Sequence, residues 1–252
     1  GRAPGALCMD LTILGNMTRA WVSRGLALAA ATIVAGCAAS LELAPHMRPL
    51  SNDSMMLLGK KGLTPAAPMF VRIFKEESEL EVWKARDDGR YYHFKTYPIC
   101  NYSGELGPKI KQGDKQSPEG VYTVSGKQLH LIGRHPRSLN LGFPNALDRQ
   151  FSRTGSYILI HGGCGSVGCF AMTNPVIQEI FSLTQAAIKN GQDAVQVHAF
   201  PFRMSEDRLK AHALSEWYDF WRNLKDVHDS FDRTRRPPRV TVCEGRYWVE
   251  DT

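Results

Sequence analysis

The chain has 252 residues, 43% hydrophobic and 22% charged, with a formal net charge of +6. That is ordinary globular composition, enough for one sizeable core or two small ones, and it excludes a low-complexity or repeat protein. The positive charge fits an anionic surface or polymer but is too small to argue for nucleic acid, and no RNA- or DNA-binding motif is present.

Residues 1–16 precede Met17 and read as upstream sequence outside the fold. Met17 to Arg24 is a short basic head, and Leu26 to Ala35 an apolar core too short to span a bilayer as a stable anchor. Val34-Ala35-Gly36-Cys37 resembles the lipobox of bacterial lipoprotein signals, which implies cleavage before Cys37 and lipid on its sulfur. A plain signal peptide cut near Ala39 is the rival. Residues 17–36 are therefore expected to be a signal peptide, and 37–68, with four prolines, a tether from the membrane.

From Met69 the chain alternates apolar and charged residues with period two. Phe70–Phe74, Leu80–Lys84 and the aromatic run Tyr91–Tyr97, with the turn Asp87-Asp88-Gly89, predict an antiparallel meander. Gly104–Gly113 is a basic loop, Val121–Val124 a strand after the Ser117-Pro118 turn, and Leu129–Ile132 a strand or short helix. Leu139–Asn145 reads as extended with a turn, and Tyr157–Ile160 as a buried strand. Asn174 as N-cap and Pro175 at the first position open a helix that Asn190-Gly191 ends. Ala194–Phe200 returns as a strand. Ser205 starts a second helix, with Trp217, Phe220, Trp221, Leu224 and Phe231 on its face. Arg233–Arg239 is a basic linker, and 240–249 a C-terminal hairpin. The fold class is mostly β with α (α+β), without alternating strand–helix units.

The chemistry concentrates in the run Ile158 to Met172. A strand ends in His161, a glycine-rich loop follows, and the loop delivers Cys164 and Cys169. Only a thiolate attacks, and a histidine nearby can take the thiol proton. Glycines let amide N–H groups turn toward a developing oxyanion, with Gly168 and Cys169 as donors. The carbonyl of Gly162 or Gly163 is the economical partner to fix the His161 tautomer.

Ser166-Val167-Gly168-Cys169-Phe170-Ala171-Met172 after His161-Gly162 resembles the active-site motif of the L,D-transpeptidase catalytic (YkuD) domain family. Ser117-Pro118-Glu119-Gly120-Val121-Tyr122 resembles an upstream segment of that family. The YafK-like branch is similar at four further places: His161-Gly162-Gly163-Cys164, Leu106-Gly107-Pro108-Lys109, Phe143-Pro144-Asn145 and Phe200-Pro201-Phe202-Arg203-Met204. The resemblance covers residues 69–250. It implies a two-sheet β domain with two flanking helices that acts on peptidoglycan stem peptides, without cofactor or metal. By position it implies Cys169 as nucleophile, His161 as general base, Gly168 in the oxyanion loop and Ser166 in support. The implied reaction is acyl transfer at a diaminopimelate carbonyl through a thioester. The implied setting is the periplasm of a Gram-negative bacterium, with the membrane reached through lipid on Cys37.

Two positions depart from the family motif: Val167 stands where histidine is usual and Ala171 where arginine is usual. Lys109, Lys111 and Arg203 are the replacements available to bind a substrate carboxylate. The same branch contains amidases that release a covalently attached outer-membrane lipoprotein, so such a lipoprotein is a second candidate partner. A non-catalytic, lipid-anchored scaffold is the third reading. Among the cysteines, Cys164 is an alternative nucleophile or a disulfide partner for Cys169, and Cys100 with Cys243 is a candidate structural pair. A zinc site from His161, Cys164 and Cys169 has poor ligand spacing and lacks a fourth ligand.

Overall fold

The computed structural model describes residues 9–10 and 50–252. The signal segment 17–36, Cys37, residues 38–49 and most of 1–16 lie outside the described residues. Strand β1 (Met9–Asp10) runs antiparallel to the C-terminal segment Arg239–Cys243, with Met9 opposite Val242. A piece of the stretch expected to lie outside the fold therefore pairs with it. The sequence Met55-Met56-Leu57-Leu58 suggests one short helical turn packing on the body, and it forms part of the longer helix α1 (Asn52–Lys60), which Ser51 caps by accepting the Ser54 N–H at 3.2 Å. Leu58 and Leu63 are buried in the main core, so the latter part of the expected tether packs on the body.

The meander forms as β2 (Met69–Phe74), β3 (Glu79–Ala85) and β4 (Tyr91–Pro98), with Val71 opposite Val82 and Leu80 opposite Tyr97. With β5 (Gly120–Ser125) and β10 (Ala194–Phe200) it makes a sheet in the order β4-β3-β2-β10-β5, in which β2 and β10 run parallel. Alternation sends Val71, Ile73, Val82, Val124 and Val197 into the main core. Phe70, Phe74 and Phe200 point to the opposite face and its own apolar clusters. Because both faces are covered, all six residues of β2 are buried.

The second sheet has the order β6-β7-β8-β9, from β6 (Leu129–His130), β7 (Ser138–Asn140), β8 (Leu159–Gly162) and β9 (Phe170–Met172). The Leu129–Ile132 stretch contributes only two strand residues, after a 3-10 turn at Gly126–Gln128. Strand β9 is not apparent in the sequence, because three residues carry no measurable period. It lies parallel to β8, and its other edge is bridged by Asn101 to Ala171. Helix α2 (Ala146–Gln150), also unexpected, is closed by a capping box between Asn145 and Asp148.

Helix α3 (Asn174–Lys189) buries Ile177, Ile180, Phe181, Thr184 and Ala187 at helical spacing. Its N-cap is Thr173, one residue earlier than expected. The single helix expected after Ser205 is two, α4 (Glu206–Ala211) and α5 (Tyr218–Thr234). Between them Ser215 Oγ accepts the Trp217 N–H at 3.2 Å, a local bond that competes with continued helix. On α5 the buried stripe is Trp221, Leu224, Val227 and Phe231, while Trp217 and Phe220 are half-buried. The hairpin is β11 (Arg239–Cys243) with β12 (Arg246–Glu250). Among the described residues no helix is long and apolar enough to cross a membrane.

Candidate active site

Strand β8 delivers His161, and the entry to β9 delivers Cys169. In this parallel pair Ile160 lies opposite Phe170, and His161 opposite Ala171. Ile160, Phe170 and Met172 enter the core. Alternation therefore turns His161, Ala171 and the preceding Cys169 to the other face. A cleft of about 840 Å³ opens there, lined by His161, Gly162, Gly163, Ser166, Val167 and Cys169. Arg134, His135 and Arg137 also line it, as do Asn174, Ile177 and Gln178 of α3.

The loop between the strands needs its glycines. Gly163 and Gly168 have φ of 101° and 103°, a region that residues with a side chain rarely enter. Cys164 is bonded to Cys100, with Cα atoms 5.1 Å apart. Cys164 is thus neither a nucleophile nor a zinc ligand nor the partner of Cys169. Cys100 does not pair with Cys243, which is disulfide-bonded elsewhere. Cys169 is the free cysteine among the described residues.

His161 is buried, and its Nδ1 lies 2.7 Å from the Gly162 carbonyl oxygen. A carbonyl only accepts, so Nδ1 carries a proton, and in the neutral ring the lone pair for base chemistry is on Nε2. The His135 ring rests on it at 4.2 Å between centroids. Burial, His161 and Arg134 together lower the His135 pKa.

The Cys169 thiol points to the Tyr157 carbonyl at 3.7 Å and accepts the Leu159 N–H at 3.4 Å. Burial pushes its pKa up, with the Leu159 N–H and the Lys109 charge opposing. At neutral pH the group is a thiol, and it forms no hydrogen bond with His161. Its backbone is held from two sides. Ser166 Oγ donates to the Cys169 carbonyl at 2.6 Å and Ser117 Oγ at 3.0 Å. Gly168 donates its N–H to Ser103 Oγ, so that amide is already engaged and Gly168 does not line the cleft.

Ser117 is fixed in turn by a buried ion pair. Lys75 Nζ donates to the carbonyls of Glu105, Gly107 and Ser117 at 2.8, 3.0 and 3.1 Å, and to Glu119 Oε1 at 2.9 Å. Trp221 Nε1 donates to the other Glu119 oxygen at 2.7 Å. The loop before β5, which holds the Cys169 carbonyl through Ser117, is thereby pinned to α5.

The three expected carboxylate-binding residues do not line the cleft. Lys109 is buried, with its ammonium on the Lys111 carbonyl at 2.9 Å and on the Asp114 carboxylate. Lys111 is exposed on that loop. Arg203 pairs with Glu79 and, at 2.9 Å, with Glu81, and lies over the Phe74 ring. In the sequence His135 reads as a structural or exposed histidine, and Ser103, Arg134 and Arg137 are not singled out. The signal for His135 and the two arginines was a basic Arg-His-Pro-Arg turn between two short apolar stretches.

The L,D-transpeptidase catalytic domain (YkuD) model matches residues 70–197. YafK of Escherichia coli (strain K12), which bears an L,D-transpeptidase name, is 46% identical over 183 residues, covering 73% of this chain and 74% of that protein. The corresponding protein of Escherichia coli O157:H7 gives the same figures. Among solved structures, the helical cell shape determining protein Pgp2 of Campylobacter jejuni is 20% identical with a TM-score of 0.41, covering 75% of this chain and 68% of Pgp2. Bd1075 of Bdellovibrio bacteriovorus is 15% identical with a TM-score of 0.38, covering 74% of this chain and 87% of its own. The sequence matches carry the assignment: this chain belongs to the L,D-transpeptidase catalytic domain family.

Proposed function

We propose that the protein performs cysteine-dependent acyl transfer on peptidoglycan stem peptides, through a thioester at a diaminopimelate carbonyl. The observation that carries this is one cleft holding both the free Cys169 and a His161 whose Nδ1–H is held by the Gly162 carbonyl. A raised thiol pKa makes such a base necessary. Substrate entry rotates Sγ away from the Tyr157 carbonyl toward Nε2, which takes the thiol proton. Sulfur then attacks the carbonyl carbon, and the C–N bond breaks. His161 returns the proton to the leaving amine. In the second half an acceptor gives its proton to His161 and attacks the thioester carbonyl, the C–S bond breaks, and the thiol is restored.

An amine acceptor makes this a transpeptidase, and water makes it an amidase able to release bound lipoprotein. Incubation with sacculi that do or do not carry attached lipoprotein, followed by product masses, distinguishes the two. Products unchanged with Cys169→Ala would sink the reading, and wild-type protein that alters neither kind of sacculus would leave a non-catalytic wall-binding scaffold. The proposed setting is the periplasm, reached by export through 17–36 and held by lipid on Cys37. Metabolic labelling with a radioactive fatty acid checks this, with the label lost in Cys37→Ser.

A further inference from the structure

We infer that the β6–β7 loop is a carboxylate-binding lip of the cleft, on which Arg134 and Arg137 take the C-terminal carboxylate of the departing residue. The inference rests on the acyl-transfer reading above. Leu139 of β7 lies opposite Ile160 of β8. The start of β7 therefore stands beside His161, and loop 131–137 leaves the sheet at that end. His135 from the loop packs on the His161 ring at 4.2 Å. Arg134 and Arg137 flank His135 and line the same cleft as Cys169.

The charge there is of one sign, because no residue lining the cleft is Asp or Glu. Such a cleft concentrates anions. Arg134 is exposed and, among the described residues, its guanidinium makes no ion pair. Strand β9, Phe170-Ala171-Met172, brings no cation.

The side of the cleft follows from the proton. His161 must reach the nitrogen that leaves, so the departing residue lies against His161, under this loop. In a terminal amino acid the carboxylate is one carbon away from that nitrogen. It therefore falls at the lip, where a guanidinium receives it through paired N–H···O bonds.

The test compares a synthetic tetrapeptide stem, in which one residue with a free carboxylate follows diaminopimelate, with its C-terminal carboxamide. Wild-type protein is expected to favour the acid by about tenfold or more in kcat/KM, carried by KM and weakened by salt. The variant with both Arg134→Gln and Arg137→Gln treats acid and amide alike, and Arg134→Lys keeps part of the preference. Calorimetric titration of Cys169→Ala protein with the same two peptides reads the same preference without turnover. A wild-type preference surviving in the double variant, or no preference in wild-type protein that processes both peptides, overturns the lip. If wild-type protein processes neither peptide and Cys169→Ala binds neither, the acyl-transfer reading falls and takes this inference with it.

Discussion

Cys164 is bonded to Cys100 across 64 residues of sequence, and the bond straps the His161–Cys169 loop to the edge that closes β9. On that edge the N–H groups of Cys100 and Asn101 both donate to the Ala171 carbonyl, at 2.8 and 3.1 Å. The loop that presents Cys169 is thus fixed covalently at one point and by hydrogen bonds two residues past the thiol.

Removing the strap with Cys100→Ser and Cys164→Ser together is expected to cost about 4 kcal/mol of stability, from loop-closure entropy regained by the unfolded chain. Displacing the thiol should also lower kcat/KM by about tenfold to a hundredfold. Denaturant titration and turnover on muropeptides read the two effects. Full activity in the double variant would mean that the glycine loop holds its shape unaided.

The two hydroxyls on the Cys169 carbonyl form a unit. Ser117→Ala and Ser166→Ala are each expected to lower kcat about tenfold by loosening the thiol's position. The double variant should lose less than the product of the two, because they share one acceptor. Strict multiplicativity would show that the two act separately.

Lys75 and Glu119 are both fully buried. Lys75→Met leaves a buried carboxylate without its counter-charge and is expected to destabilise by about 3–5 kcal/mol. Lys75→Met combined with Glu119→Gln should recover part of that loss. Urea midpoints at neutral pH decide, and a double variant weaker than the single one would refute the charge argument.

Lys84 is fully buried, its Nζ donates to the Pro65 carbonyl at 2.8 Å, and burial lowers its pKa to about 7. An unfolded lysine titrates near about 10.4. Between those values the unfolded chain binds a proton that the folded chain lacks, so this group's contribution to stability rises with pH from about 7 to about 10. Lys84→Met removes the penalty. Its stability advantage over wild type is therefore largest at and below pH 7 and shrinks toward pH 10. An advantage that does not change with pH would place the lysine's penalty in packing.

Much was readable locally. Period-two alternation in Phe70–Phe74 and Leu80–Lys84 dictates strands whichever sheet receives them. The apolar spacing of Ile177, Ile180, Phe181 and Ala187 dictates a helix, and a glycine-rich loop between His161 and Cys169 marks a place where backbone must turn tightly. These signals repeat within a few residues and need no distant partner.

Other features were decided only when distant segments met. Cys100 had three possible described partners, and the edge pairing of Asn101 with Ala171 brings it to Cys164. The acceptor for the Gly168 N–H, Ser103 Oγ, comes from the segment that follows β4. Lys109 and Arg203 looked like substrate cations, but Asp114, Glu79 and Glu81 meet them first. Arg134 and Arg137 do not stand out singly in the sequence, and the pairing of β7 with β8 brings their loop to the cleft that holds His161. The residue types for thiol chemistry were thus in the sequence by itself. Which charges face the thiol was a tertiary outcome, because electrostatic partners are chosen by proximity in space and carry no periodic trace along the chain.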